Sequence, residues 1–208
     1  MNFTKIILTS ELAHFKNSIN GKNQNTFKSP PVSTIVGILK NIYGEDIQNF
    51  IFGYTCEYNG IFTDVANIYK TVSSNKKCIT DICFIEYLIK PTIRIYTDIE
   101  SEIILDETLN LGKTNCLAKC RFAEVEINNE KSIGYNQWTP KNIGHGIIQR
   151  INLETKYNKL KGYYDYITAL LRHNTQFESQ YKINDIQEGI QLWKYENEEN
   201  IKCYQEKL

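Results

Sequence analysis

Two prolines, a short apolar segment and a glycine constrain the fold of this chain most strongly. Pro30 and Pro31 end a polar loop, and Gly44 follows the apolar segment. Proline suits the first turn of a helix and glycine its end, so residues 31–43 are predicted to form a helix. Gly37 within it costs about 1 kcal/mol relative to Ala, and we attribute its presence to close packing on a sheet. The predicted buried stripe is Val32, Ile35, Val36, Leu39 and Tyr43.

The segments on either side of this helix are predicted to form strands. Residues 3–9 are apolar and β-branched, and the loop of residues 10–29 after them is long enough to indicate a functional loop. Residues 50–69 are strand-like around Asn59-Gly60, which is a strong hairpin signal. A further hairpin is predicted to have its tip near residues 72–77.

The next part of the chain completes a pattern of alternating elements. Residues 82–96 indicate one or two strands interrupted at Pro91. Thr97-Asp98-Ile99-Glu100 fits a capping box, so a second helix is predicted from Thr97 to about Leu109. Residues 117–127 are then predicted to form a strand. The order strand, helix, strand, strand, helix, strand predicts an α+β fold with a ferredoxin-like (RRM-like) βαββαβ core.

The chain is predicted to have two parts. Residues 1–129 form the ferredoxin-like domain, and residues 130–208 form a less regular C-terminal α/β part packed on this core. In the second part we predict a turn at Gly144-His145-Gly146, strands near residues 147–153 and 190–195, and a helical stretch near residues 160–172.

Charge and cysteine content exclude several classes of function. The chain carries 24 Lys+Arg and 24 Asp+Glu, and a net charge of zero argues against bulk, sequence-blind affinity for DNA. Residues 1–43 contain five lysines and one acidic residue, Glu11, and this excess of positive charge predicts a local basic face. The six cysteines form no CxxC, and the carboxylates do not cluster, so we predict no metal site and no cofactor. The sequence predicts no signal peptide or membrane span, and hence a cytoplasmic protein.

The lysine-bearing loop and the start of the first helix predict an anion site. Unpaired backbone N–H groups and the helix dipole favour anions at a helix N-terminus, and Ser33 and Thr34 add hydroxyl groups there. We predict that the anion is the phosphate backbone of a nucleic acid. Phe15 can be a platform for base stacking or an anchor that holds the loop to the core, and Phe27 is predicted to be an anchor.

Two further features bear on whether the chain could act chemically on nucleotides. Gly112-Lys113-Thr114 is like the end of a P-loop, but position 107 is glutamate and the motif follows a helix, so we predict a glycine turn rather than nucleotide hydrolysis. His14 beside Lys16 supplies a base or acid and a cation. These two groups are what metal-independent RNA cleavage needs, although their spacing does not require that chemistry.

Two blocks of the sequence resemble a known family. The run from Phe15-Lys16 through Thr26-Phe27-Lys28-Ser29-Pro30-Pro31-Val32-Ser33-Thr34 to Gly44 resembles the N-terminal signature of the Cas-five family, CRISPR-associated subunits of the type I Cascade surveillance complex. Leu109-Asn110-Leu111-Gly112-Lys113 resembles that family's Leu-Gly-[Arg/Lys] turn. Residues 53–70 look most like the type I-B version, and residues 130–208 match only loosely. In the loop and the glycine turn, this chain has lysine at positions where the family often has arginine.

The resemblance implies a ferredoxin-like domain of the repeat-associated mysterious protein (RAMP) superfamily with a β-hairpin thumb. It implies a non-catalytic subunit that binds the 5′ handle of the CRISPR RNA (crRNA), contacts the backbone and large subunits, and reaches target DNA only through the complex. Lysines of the loop, thumb and glycine turn would then bind RNA. The complete predicted RNA-binding set is Phe15, Lys16, Lys22, Lys28, Ser33, Thr34, Lys76, Lys77 and Lys113.

Two other functions remain open on the sequence. One is a metal-independent endoribonuclease that processes precursor crRNA, as the family does in the type I-C variant. The catalytic triad of that variant has no residue-by-residue counterpart here, so no catalytic residues are assigned. The other is a stand-alone RNA-binding module.

Overall fold

The computed structural model describes residues 1–17, 23–72, 77–105, 109–158, 162–196 and 200–204. These residues form a mostly β structure with one helix, α1 (Val32–Tyr43), and a curled antiparallel main sheet. No helix in these ranges is long and apolar enough to span a membrane. The strands are β1 (Asn2–Ser10), β2 (Leu12–Ala13), β3 (Lys16–Asn17), β4 (Asn23–Thr26), β5 (Phe50–Glu57), β6 (Gly60–Val72), β7 (Lys77–Ile89), β8 (Thr92–Thr97), β9 (Leu109–Asn110), β10 (Leu117–Asn128), β11 (Ser132–Pro140), β12 (Ile147–Asn158), β13 (Tyr163–Ser179), β14 (Tyr181–Ile183), β15 (Glu188–Ile190), β16 (Leu192–Glu196) and β17 (Asn200–Cys203).

The main sheet runs in the order β15-β14-β10-β1-β8-β5-β16-β17, and β9 pairs with β10. Its central strands are antiparallel: β1 pairs with β8 and β10, and β5 pairs with β8. Ile6 and Leu8 of β1 are fully buried in the larger core cluster, while Phe3 is buried in a second cluster with strands from the C-terminal part. The sheet is therefore covered on both faces at β1.

The helix α1 forms where the sequence predicts it. All five residues of the predicted stripe are buried, and Gly44 ends the helix at φ 105°. Gly37 contradicts our expectation, because a Cβ built there meets no atom within 4 Å. The helix buries its large aliphatic side chains and leaves Gly37 on the open side, so close packing on the sheet does not explain this glycine.

The second helix is not formed. Residues 98–105 are irregular, and residues 106–108 lie outside the described ranges. The Thr97 hydroxyl donates to the Ile51 carbonyl (3.1 Å), and Asp98 Oδ1 accepts the Ile51 N–H (2.7 Å). The predicted capping groups are thus bound to β5 and are not available to start a helix, although Ile99 of this segment is still buried in the larger core cluster. The chain is mostly β, and the ferredoxin-like core that we predicted is not established.

Asn59-Gly60 does not join a hairpin. β5 pairs with β8 and β16, whereas β6 pairs with β7, so the strands on either side of the turn lie in different sheets. The Asn59 N–H donates to the Ile89 carbonyl of β7 (2.9 Å), which directs the chain into the second sheet. The predicted hairpin with a tip near residues 72–77 is present as β6–β7, where Val72 is paired with Lys77. Residues 73–76 of its tip are outside the described ranges.

The C-terminal part is more regular than predicted, and its predicted helix near residues 160–172 is wrong. Residues 163–179 form β13, which pairs with β11 on one side and β12 on the other. Tyr163, Ile167 and Thr168 are aromatic or β-branched residues that fit a pleated surface better than a helix. The predicted strand near residues 190–195 divides at Gln191, whose N–H donates to Gln137 Oε1 (2.9 Å).

Candidate nucleic-acid interface

A groove of about 750 Å³ lies where four parts of the chain meet. These parts are the loop after β1, the start of α1, the glycine turn before β10, and the strands β12 and β13. The groove brings together five of the nine residues in the predicted RNA-binding set. Its lining is His14, Phe15, Lys16, Gln24, Phe27, Pro31, Ser33, Thr34, Gly112, Lys113, Arg150, Asn152 and Thr168.

The groove is positively charged. Lys16, Lys113 and Arg150 line it, and none of its lining residues is a carboxylate. In the part of the chain that the structure describes, no ion pair engages any of these three cations. Lys16 and Arg150 are exposed, and Lys113 Nζ lies 5.7 Å from the centre of the Tyr87 ring. All three cations are therefore free of ion pairs within the described residues and can bind an anionic ligand.

Gly112 brings the glycine turn against the loop. It has φ +94°, and a Cβ at this position would lie 1.7 Å from the His14 carbonyl oxygen. The His14 N–H donates to the Leu111 carbonyl (3.0 Å), which fixes the two segments together. Only glycine permits this approach, and the approach is what places Lys113 beside Lys16.

The start of α1 offers hydrogen-bond donors to the same groove. Pro31 at the N-cap has no side-chain cap bond, and the first turn contains no acidic residue. The first N–H groups that bond within the helix are those of Thr34 and Ile35, both to the Pro31 carbonyl. The N–H groups of residues 32 and 33 and the Ser33 and Thr34 hydroxyls are therefore not used by a helix cap.

His14 is the buried polar residue in the lining. Its Nδ1 lies 2.7 Å from the Glu86 carbonyl oxygen of β7, and its Nε2 is buried with no hydrogen-bond partner in the described structure. Burial lowers the pKa of His14, the bond to the Glu86 carbonyl opposes this effect, and the charges of Lys113 and Lys16 lower the pKa further. The imidazole is thus neutral at pH 7.

The two loop aromatics anchor the loop. Phe15 is 2% exposed and belongs to the larger core cluster, so its ring is not available for stacking on a base. Phe27 lies edge-on to Trp138, with ring centroids 5.6 Å apart. The Phe15 N–H donates to Thr26 Oγ1 (2.9 Å), and the Phe27 N–H donates to the Phe15 carbonyl (2.7 Å). Of the two roles open for Phe15, burial supports the anchor.

The remaining residues of the predicted set lie elsewhere or outside the described ranges. Lys28 is exposed but does not line the groove, and its charge instead lowers the pKa of His173, after the larger effect of burial. Lys22 and Lys76 are outside the described residues. Lys77 begins β7, and its side chain is also outside what the structure describes.

Sequence reasoning missed the wall that β12 and β13 contribute. Asn152 and Thr168 are directly paired across the two strands, and Arg150 is two residues earlier on β12. All three line the groove. No local motif marks them, because they reach the site only through the pairing of distant strands. The alternation of Arg150 and Asn152 along a predicted strand was the one available signal.

Comparison with known proteins gives a match in structure but not in sequence. No family model and no curated protein matches the sequence. A chain in the cryo-electron microscopy structure of the type III-B Cmr-beta bound to cognate target RNA and AMPPnP superposes with a TM-score of 0.54 at 11% identity. The match covers 84% of this chain and 86% of that chain. At this identity the likeness establishes a shared fold over most of both chains.

Proposed function

We propose that this chain is an RNA-binding subunit of a CRISPR effector complex that holds the crRNA in the groove. The observation that carries the proposal is the meeting of Lys16, Lys113 and Arg150 around an uncapped helix N-terminus, with no carboxylate in the lining. Cations and backbone N–H groups bind phosphates, which are the common feature of every RNA segment. The shared fold with a chain of the type III-B Cmr-beta structure supports the assignment.

The finer proposal is a Cas-five-like, non-catalytic subunit of a type I Cascade, of type I-B, bound to the 5′ handle of the crRNA. Both sequence blocks that resemble this family contribute to one groove, at Lys16 and at Gly112-Lys113. The strand order β10-β1-β8-β5 agrees with the order proposed for a ferredoxin-like sheet, and residues 98–105, where the second helix is expected, are irregular. The two sequence blocks support the type I assignment, and the strand order supports the ferredoxin-like core.

The proposal includes further partners. The backbone and large subunits of the complex would bind surfaces outside the groove, and target DNA would be reached through the complex. Such a subunit acts in the cytoplasm. The β6–β7 hairpin is the proposed thumb, since its two strands have 13 residues each and β7 pairs with β2 and β4 in the loop after β1.

Charge reversal in the groove tests the proposal. Each unit-charge pair at about 4 Å is worth roughly 1 kcal/mol in water, so reversing one lysine costs about 2 kcal/mol before screening. Lys16→Glu with Lys113→Glu is expected to weaken binding of repeat-derived RNA by up to about a thousandfold. Lys131→Glu is the matched control, because Lys131 is exposed and lines a different pocket. Equal affinity for the double variant and the control contradicts the proposed site.

A metal-independent ribonuclease is the second candidate, and the neutral His14 between two lysines is the observation that favours it. Incubating the purified chain with repeat RNA in EDTA distinguishes the two functions. The non-catalytic proposal predicts intact RNA. Cleavage at one position that is lost in His14→Ala would instead establish the ribonuclease.

A further inference from the structure

His14 presents a hydrogen-bond acceptor of fixed orientation. The Glu86 carbonyl oxygen can only accept, so His14 Nδ1 must carry the proton that lies between them (2.7 Å). In a neutral imidazole the other nitrogen is then a bare acceptor. Nε2 is buried and has no partner among the described residues. A buried acceptor without a partner is unfavourable, and a donor from a ligand would relieve it.

The ligand that the lysines attract restricts which donor this can be. A phosphate diester has only acceptors at neutral pH, so it binds Lys16 or Lys113 but cannot satisfy His14 Nε2. Bases are not held at this wall by stacking, since Phe15 is buried and Phe27 packs edge-on against Trp138. The sugar-phosphate backbone therefore lies nearest to His14, and its hydrogen-bond donor is the ribose 2′-hydroxyl, which DNA lacks.

We propose that His14 Nε2 accepts a hydrogen bond from a ribose 2′-hydroxyl of the bound strand, and that this contact makes the groove prefer RNA to DNA. The inference rests on the proposed function and adds the residue that selects the sugar. Lys113 and His14 line the same groove, and both contact Tyr87: Lys113 Nζ lies 5.7 Å from the centre of the Tyr87 ring, and the His14 ring centre lies 5.7 Å from it. Because Nε2 is buried, the proposed contact requires a side chain next to His14 to move when the strand binds, and Lys113 has a flexible side chain in the same lining.

The charges around His14 keep the acceptor available. Burial lowers the pKa of His14, and the charges of Lys113 and Lys16 act in the same direction, while the backbone bond to Glu86 and the charge of Glu86 oppose them. Protonation would turn Nε2 into a donor, so RNA preference is expected to fall on acidification. A contact to phosphate would behave in the opposite way and strengthen for both sugars. The titratable or charged neighbours of His14 are Lys16, Glu86, Tyr87, Lys113 and Cys116.

Sugar analogues test the proposal on the unmodified protein. The probes are labelled oligouridine of about a dozen nucleotides, a length typical of one single-strand-binding domain, and its 2′-deoxy and 2′-fluoro counterparts. Affinities are measured by fluorescence anisotropy at one fixed salt concentration. Oligouridine is expected to bind about three- to tenfold more tightly than the 2′-deoxy strand, the range for one hydrogen bond. The 2′-fluoro strand keeps an RNA-like sugar but has no donor, so it is expected to bind like the 2′-deoxy strand.

A substitution at His14 tests whether this residue causes the preference for RNA over DNA. His14→Phe keeps an aromatic ring without an acceptor, and it is expected to lower affinity for oligouridine to that for the 2′-deoxy strand while affinity for the latter is unchanged. Lys16→Ala is the control, because loss of a phosphate contact weakens all three strands equally. Thermal melting of each variant checks that it is folded.

Three results overturn the inference: equal binding of the three strands by the unmodified chain, a 2′-fluoro strand that binds like oligouridine, or a His14→Phe variant that loses affinity for every strand by the same factor. Binding without sugar preference defeats only this inference. Failure of the unmodified chain to bind any strand defeats the proposed function itself.

Discussion

Gly112 and Gly37 are expected to respond in opposite ways to the same substitution. In Gly112→Ala the new Cβ would lie 1.7 Å from the His14 carbonyl oxygen, and φ +94° is unfavourable for alanine. In Gly37→Ala the new Cβ meets no atom within 4 Å, and α1 gains a better helix former. Both changes add one methyl group, so the two variants are matched controls for each other.

The expected size of each effect comes from the local geometry. A left-handed backbone conformation costs an L-residue about 1–2 kcal/mol. Displacing His14 weakens its 3.0 Å bond to Leu111, which contributes about 1 kcal/mol more. Gly112→Ala should therefore destabilise the chain by about 2–3 kcal/mol or more. Gly37→Ala should stabilise it by about 0.5–1 kcal/mol.

Thermal unfolding by circular dichroism measures the difference. For a chain of this size 1 kcal/mol corresponds to about 2–4 °C in Tm, so Gly112→Ala should lower Tm by about 4–12 °C and Gly37→Ala should raise it by about 1–4 °C. Equal Tm values for the two variants, or a stabilised Gly112→Ala, would show that the glycine turn does not press on His14 as described.

Two further predictions concern buried rings. Phe15→Leu keeps most of the core volume and should leave RNA affinity unchanged. Phe15→Ala should lower the free energy of unfolding by about 3–5 kcal/mol. A stable Phe15→Leu chain that loses about 1–3 kcal/mol of RNA-binding free energy would instead identify Phe15 as a stacking platform. Burial, followed by the charge of Lys28, lowers the pKa of His173 from 6.5 to about 4. Between pH 4 and 6.5 the unfolded chain therefore binds more protons at His173 than the folded chain does. The free energy of unfolding keeps its full value above pH 6.5 and falls by up to about 3 kcal/mol as the pH drops towards 4. His173→Phe should flatten this dependence in chemical denaturation at several pH values, and an unchanged dependence contradicts the assignment.

Local signals predicted the elements whose ends are marked by nearby residues. Pro31 and Gly44 mark the ends of α1, and the apolar residues between them are buried as the helical spacing requires. The β6–β7 hairpin was also predicted from nearby residues. In each case nearby residues set the ends of the element and the spacing of its side chains, so a local pattern is sufficient to predict it.

Long-range contacts explain the elements that the sequence did not predict. Thr97 and Asp98 have the pattern of a helix cap, but both are bound to Ile51 of β5. Asn59-Gly60 has the pattern of a hairpin turn, but its backbone is bound to Ile89 of β7. A partner that is distant in sequence removes the local alternative, and no window around these residues contains that partner.

The candidate site also contains residues that local motifs predicted and residues that they did not. Lys16 and Lys113 were predicted from motifs within a few residues of each, but Arg150 enters the groove only through the β12–β13 pairing. Gly37 and Gly112 are both glycines close in sequence to residues of the predicted site, and the sequence does not distinguish their roles. Only the structure distinguishes the open position from the one that touches the His14 backbone.

The salt dependence of RNA binding tests the central claim most directly. For a single-stranded ligand, log K falls with log salt at a slope of about −0.7 per neutralised phosphate. Replacing Lys16, Lys113 and Arg150 by alanine removes three groove cations, and should therefore make the slope shallower by about 2. The same measurement on alanine variants of Lys131 and Lys141, which are exposed outside the groove, should leave the slope unchanged. An unchanged slope in the groove variant, with RNA still bound, would contradict the claim that this groove holds the RNA backbone.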